Sequence, residues 1–150
     1  MMPTRRQTMQ AALAAALVQA VPAAAAWASE STNAFNARSP VSALRALGVP
    51  HGTETSAIDI QAPDVAENGA NVPVEVTVNL PNVARVLVIG EKNVFPLLAD
   101  LRFDPRAKPW FEIKVKMAET SHLTVIAEAD GAFYRDSKLV RVIVGGCLPG

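Results

Sequence analysis

The chain has 150 residues, a length that fits one domain, and fourteen basic residues balance fourteen acidic ones. With no basic stripe to neutralise phosphates, nucleic-acid binding is excluded as a function class. Apolar residues make up 50% of the chain, enough for a packed core, and a lone cysteine rules out an internal disulfide.

Residues 1–28 have the three parts of a secretory signal. Arg5 and Arg6 form the basic region, an Ala-rich apolar run extends from Ala11 to Ala26, and Ala26-Trp27-Ala28 sets cleavage before Ser29. The run falls short of the roughly 20 strongly apolar residues of a spanning helix, so no membrane anchor is expected. Thr4-Arg5-Arg6-Gln7-Thr8-Met9 resembles a twin-arginine export signal in its paired arginines and departs from it at Thr8, Met9 and Gln10. A general secretory leader is the alternative, and both routes end in the periplasm. Loss of Arg5 and Arg6 with the leader leaves twelve basic against fourteen acidic residues, a net charge of −2.

Ser29 to Ala37 is polar and reads as a loose new terminus. Ser39 then caps a short helix with Pro40 in its first turn; Val41, Leu44 and Leu47 recur at helical spacing, and Gly48 closes it. Pro50-His51-Gly52 is a break. Beyond it the pattern alternates: Val72, Val74, Val76, Val78 and Leu80 fall on one face of a strand, as do Phe111, Ile113, Val115 and Met117 on another. Further strands are expected at Ala57 to Gln61, Ala84 to Ile89, Leu123 to Glu128, Ala132 to Arg135 and Lys138 to Val144. Turn residues separate them at Asn68-Gly69, Pro81-Asn82, Asp104-Pro105, Asp130-Gly131 and Asp136-Ser137. About seven short strands predict an all-β, immunoglobulin-like sandwich over 53–144, preceded by a helical segment over 29–52 and followed by a C-terminal arm over 145–150.

Cys147 carries the chemistry. It follows Gly145-Gly146 just past the last expected strand, so the thiol sits on a pliant arm that can hold it about 10 Å from the sheet. Gly150 ends the arm. An unpaired thiol in an oxidising compartment invites disulfide exchange and over-oxidation, and its retention asks for a role. The alternatives are an incidental thiol, an intermolecular disulfide, or a self-activated nucleophile. The last is disfavoured: no His or Lys lies nearby in sequence, and the terminal carboxylate opposes a thiolate. His51 and His122 with one cysteine make no zinc pattern, Gly145-Gly146 lacks the Lys-Ser/Thr of a phosphate loop, and the carboxylates are scattered. No catalytic residue, metal site or cofactor is therefore expected. Trp110 and Phe111 read as core or interface.

Four blocks resemble the SoxY family in order: Pro63-Asp64-Val65-Ala66-Glu67-Asn68-Gly69-Ala70-Asn71-Val72-Pro73-Val74, Glu91-Lys92-Asn93 with Pro96-Leu97, Lys114-Val115-Lys116-Met117, and Val144-Gly145-Gly146-Cys147. The resemblance implies an immunoglobulin-like periplasmic carrier that pairs with a SoxZ-like subunit and takes no part in catalysis itself. It implies that Cys147 receives thiosulfate through the cytochrome SoxAX, that SoxB releases sulfate, and that a molybdenum–haem enzyme oxidises the remaining persulfide sulfur where present. Gly145 and Gly146 carry over as the flexible arm. The block around Glu67-Asn68-Gly69 reads as a structural turn. The sequence departs from the family's Gly-Gly-Cys-Gly-Gly ending at Leu148-Pro149-Gly150, which adds bulk beside the sulfur and stiffens it. Two further readings stand beside the thiosulfate carrier: a diverged SoxY-like carrier for another sulfur pathway, and a periplasmic interaction module whose cysteine only forms an intermolecular disulfide.

Overall fold

Alternating valines build the middle of one sheet. Val72, Val74 and Val76 are fully buried and Val78 nearly so, while Pro73, Glu75 and Thr77 point the other way. Burying each valine contributes roughly 1.5 kcal/mol or more, which sets the strand's register against the core. A computed structural model describes residues 23–143, with side chains from Ala28 onward. Among the described residues the order is α1 (Ala23–Phe35), α2 (Pro40–Ala46), β1 (Thr53–Glu54), β2 (Ile58–Gln61), β3 (Val65–Ala66), β4 (Val72–Val78), β5 (Val83–Gly90), β6 (Leu97–Arg102), β7 (Trp110–Val115), β8 (Ser121–Ala129) and β9 (Ala132–Val142).

The strands form two sheets, β2-β4-β7 and β1-β9-β8-β5-β6, with β3 also paired to β9. Their inner faces meet in one core, in which Val74 and Val76 join Val86, Val88, Leu123 and Val125. This is the all-β, immunoglobulin-like sandwich that the alternation predicts. The larger sheet is apolar on both faces, because its outer side carries a second cluster in which Leu87, Ile89 and Ile126 pack under Ala34, Ala43 and Leu44 of the helices. The strand β5 therefore reads as a continuous apolar run.

Turn chemistry follows the expected positions at Pro81-Asn82 and Asp130-Gly131. Asp130 and Gly131 adopt φ values of 50° and 73°, matching a two-residue hairpin between β8 and β9. Asn82 also has φ of 50°, and its Nδ2 donates to Asp130 Oδ1 at 2.8 Å, tying two turns together. The helix α2 is capped as expected, with Ser42 N donating to Ser39 Oγ at 3.1 Å and Gly48 at φ 64°.

Three expectations are corrected. The segment after Ser29 is helical up to Phe35 rather than loose, because Ala34 is fully buried against the second cluster. The two strands expected at Ala132 to Arg135 and Lys138 to Val144 are one strand, with Asp136-Ser137 paired to Val125 and Thr124 instead of turning. On the far edge of β9, the strand β1 covers Tyr134 and Arg135 and β3 covers Arg141 and Val142. The polar pair falls between these two pairings. Finally, β1, β3 and β6 were not expected; the first two are only two residues long, and Leu97–Arg102 lacks alternation.

A buried ion pair lies on the helix-facing side of the larger sheet. Arg85 Nε and Nη2 donate to the two oxygens of Asp100 at 2.8 and 2.7 Å, with side chains 8% and 7% exposed. The hydrogen bonds it donates to Asp100 raise the Arg85 guanidinium above its already high ordinary value despite the cost of burial, and the charges of Asp100, Glu128 and Glu30 add to this. Removing one partner leaves an unpaired buried charge. We therefore expect Arg85→Met to cost about 3–5 kcal/mol, and Arg85→Met with Asp100→Leu to recover most of it. Urea denaturation of the three variants checks this; a double variant as unstable as the single one contradicts it.

Candidate functional site at the root of the C-terminal arm

The strand that leads to the arm is held on both edges. The strands β3 and β9 run parallel, with Val65 beside Arg141 and Ala66 beside Val142. Arg141 N donates to Asp64 O at 2.9 Å and Ile143 N to Ala66 O at 3.0 Å, while Val142 N donates to Thr120 Oγ1 at 2.9 Å. Lys138 Nζ adds an ion pair to Asp64 at 3.2 Å. Backbone pairing thus continues to Ile143, four residues before Cys147. Cys147, with Gly145, Gly146 and Gly150, lies outside the described residues.

The turn at Glu67-Asn68-Gly69 packs directly against this root. Asn68 Oδ1 accepts from Ala70 N at 3.0 Å, closing an Asx turn. Gly69 O accepts from Met117 N at 2.7 Å, and a Cβ on Gly69 would stand 2.5 Å from Met117 O and 2.7 Å from Val142 Cγ1. Only glycine lets the two chain segments approach so closely. The turn is structural, as expected, and it packs against Val142 at the end of β9.

A second brace comes from the loop after β5. Asn93 Nδ2 donates to Lys116 O at 2.6 Å and its Oδ1 accepts from Ala118 N at 2.8 Å, so one amide satisfies both sides of the chain next to Met117. Lys92 on this loop pairs with Glu119, between β7 and β8, at 3.6 Å, and Thr124 Oγ1 donates to Glu91 Oε1 at 2.9 Å. Three separate stretches, 64–70, 91–93 and 116–120, therefore converge on one pole. Between them and the root lies a groove of about 300 Å³, touched by Asn68, Gly69, Lys116, Met117 and Ile143.

The remaining candidates lie apart from this pole or carry no chemistry at it. His51 is exposed in the loop before β1, and His122 is exposed on β8. Among the described residues, no three His, Cys, Asp or Glu side chains are placed to hold a metal ion. Phe111 packs against Phe103 at 6.2 Å between ring centroids, whereas Trp110 is 48% exposed on the outer face, with Nε1 donating to Glu75 at 2.8 Å. Sequence reasoning missed Asn93 and Thr120 as braces, and nothing in their local pattern marks them.

A two-sheet β-sandwich whose last strand leads into a cysteine-bearing terminus is the class that fold and site define. The chain matches the family model of the sulfur oxidation protein SoxY over residues 44–147, and it belongs to the SoxY family. The sulfur carrier protein SoxY from Chlorobium limicola f thiosulfatophilum is similar at 37% identity with a TM-score of 0.57, over 61% of this chain and 84% of that one. A superoxide reductase (neelaredoxin) variant from Ignicoccus hospitalis shares the fold at 20% identity and a TM-score of 0.51, over 61% of this chain and 81% of that one. No curated protein matches the chain.

Both braces can be tested by stability. Gly69→Ala is expected to cost about 2 kcal/mol through overpacking against backbone, lowering Tm by roughly 8 °C. Gly131→Ala, at φ 73° with open space around it, should cost only about 1 kcal/mol. Equal melting of the two variants contradicts the close contact at Gly69. Asn93→Ala should lose about 1–2 kcal/mol by orphaning the Lys116 carbonyl and the Ala118 N–H. A melting curve unchanged from wild type contradicts it.

Proposed function

We propose that the chain is a periplasmic sulfur carrier, without catalysis of its own, that holds oxidation intermediates on Cys147 while separate enzymes act on them. The observation that carries this reading is the span of the family match, which begins at residue 44, takes in the β-body and ends on Cys147. The solved relative described as a sulfur carrier supports it. Export by a leader over residues 1–28, of twin-arginine type, brings the folded body to the compartment where the partner enzymes work.

The chemistry needs a thiol that can be handed over. The Cys147 sulfur and the sulfane sulfur of thiosulfate form an S–S bond; the thiol proton goes to solvent, and a SoxAX-type cytochrome would take up the two electrons one at a time. The product is Cys147–S–S–SO₃⁻. In a SoxB-type enzyme water attacks the sulfonate sulfur, the S–SO₃ bond breaks, sulfate and two protons leave, and the persulfide anion stays on Cys147. A molybdenum–haem enzyme then oxidises that sulfur where one is present. Gly145 and Gly146 give the arm backbone freedom, and a SoxZ-like subunit completes the carrier as a heterodimer.

The test is intact-mass measurement of the subunit pair after incubation with thiosulfate and the cytochrome. A reducible adduct on Cys147, absent from Cys147→Ser, is expected. A disulfide-linked dimer as the sole product, with thiosulfate oxidation unchanged by Cys147→Ser, contradicts the carrier reading.

A further inference from the structure

Three exposed aliphatic side chains surround the root of the arm. Leu139 and Arg141 on β9, and Ile143 just past its end, are exposed at every second position, and Val65 stands beside Arg141 in the parallel ladder. Leu139, Ile143 and Val65 are 43%, 53% and 45% exposed, while Val140, between them on the inward face, is fully buried. The outward positions could hold polar residues without touching the core, so three exposed aliphatic side chains around Arg141 point to a contact surface. Arg141 is exposed and has no ion-pair partner among the described residues; Asp64 next to it is taken by Lys138. An arginine framed by aliphatic side chains matches the centre of a protein interface rather than a solvated strand face.

The short tether decides what covers it. Cys147 is four residues beyond Ile143, so their α-carbons are at most about 14 Å apart. An enzyme that draws Cys147 into its active site must therefore press its outer surface against the body around Ile143. A contact of roughly 800 Å² per partner has a radius of about 16 Å. Leu139, four strand positions away, is about 13 Å from Ile143 and falls inside it. We infer that Val65, Leu139, Arg141 and Ile143 form the docking surface for the enzyme that joins thiosulfate to Cys147. That enzyme's channel mouth carries an apolar rim with a carboxylate opposite Arg141. This inference rests on Cys147 being the carrier thiol.

The test compares Arg141→Glu and Leu139→Ser with wild type, each as the full chain in its subunit pair, using thiosulfate and the coupling cytochrome. Three quantities are read: KM for the carrier against kcat, the rate of Cys147 alkylation by iodoacetamide, and the size of the subunit pair by gel filtration. The expected result is a KM raised about tenfold in each variant, with kcat and alkylation within twofold of wild type and the pair intact. An unchanged KM in both variants overturns the inference. Loss of the pair also overturns it, by making the patch a subunit interface. If Arg141→Glu fails to fold, Leu139→Ser decides by the same criterion. A wild-type pair that never gains an adduct on Cys147 sinks the carrier reading itself, an outcome separable from a raised or unraised KM.

Discussion

The short parallel ladder between β3 and β9 is the constraint on which the rest of the molecule depends. Two paired residues are a weak element by themselves, yet they fix where the chain leaves the sandwich, because Ile143 N is bonded to Ala66 O at the last step. The ladder in turn needs Gly69, whose missing side chain lets the following turn close on Met117 and Val142. Asn93 secures the other side of the same turn through Lys116 and Ala118.

The body supplies rigidity by layering. One sheet packs by a single apolar face, and the larger one is apolar on both, with α1 and α2 covering the outer side. The Arg85 and Asp100 pair on that helix-facing side is weak evidence for net stability, since two charges are withdrawn from water. Its bidentate geometry does fix the register of β5 against β6, next to the bulge between Val88 and Ile89. Specificity of pairing is the stronger reading of its role.

Much of the sandwich was legible because burial enforces period two. The strand β4 is the clearest case, with buried valines at every second position. Legibility failed where local composition and tertiary context disagree. Asp136-Ser137 has turn composition but lies within β9, held by β8 along one edge. Val65-Ala66 is too short to show a period and is defined only by its neighbour. Cys147 is a candidate from the sequence alone, as a lone thiol after two glycines, and it lies outside the described residues. The bracing contacts were not legible, because Asn93 and Gly69 act on residues distant in sequence; Asn68-Gly69 read only as a turn, and Glu91-Lys92-Asn93 only as part of the resemblance.

These features describe a β-body whose backbone pairing runs to Ile143, four residues before Cys147 in the sequence. Belonging to the SoxY family and ending its match on Cys147 give the chain a place among sulfur oxidation proteins. What the Cys147 sulfur holds during turnover decides whether the proposed carrier role stands. Top-down mass spectrometry of the protein purified from cells actively oxidising thiosulfate, with and without reductant, measures this directly. The account predicts sulfur-bearing species localised to Cys147 that collapse to the bare thiol on reduction. Bare thiol or a cystine-linked homodimer alone, in cells turning over thiosulfate, would contradict it.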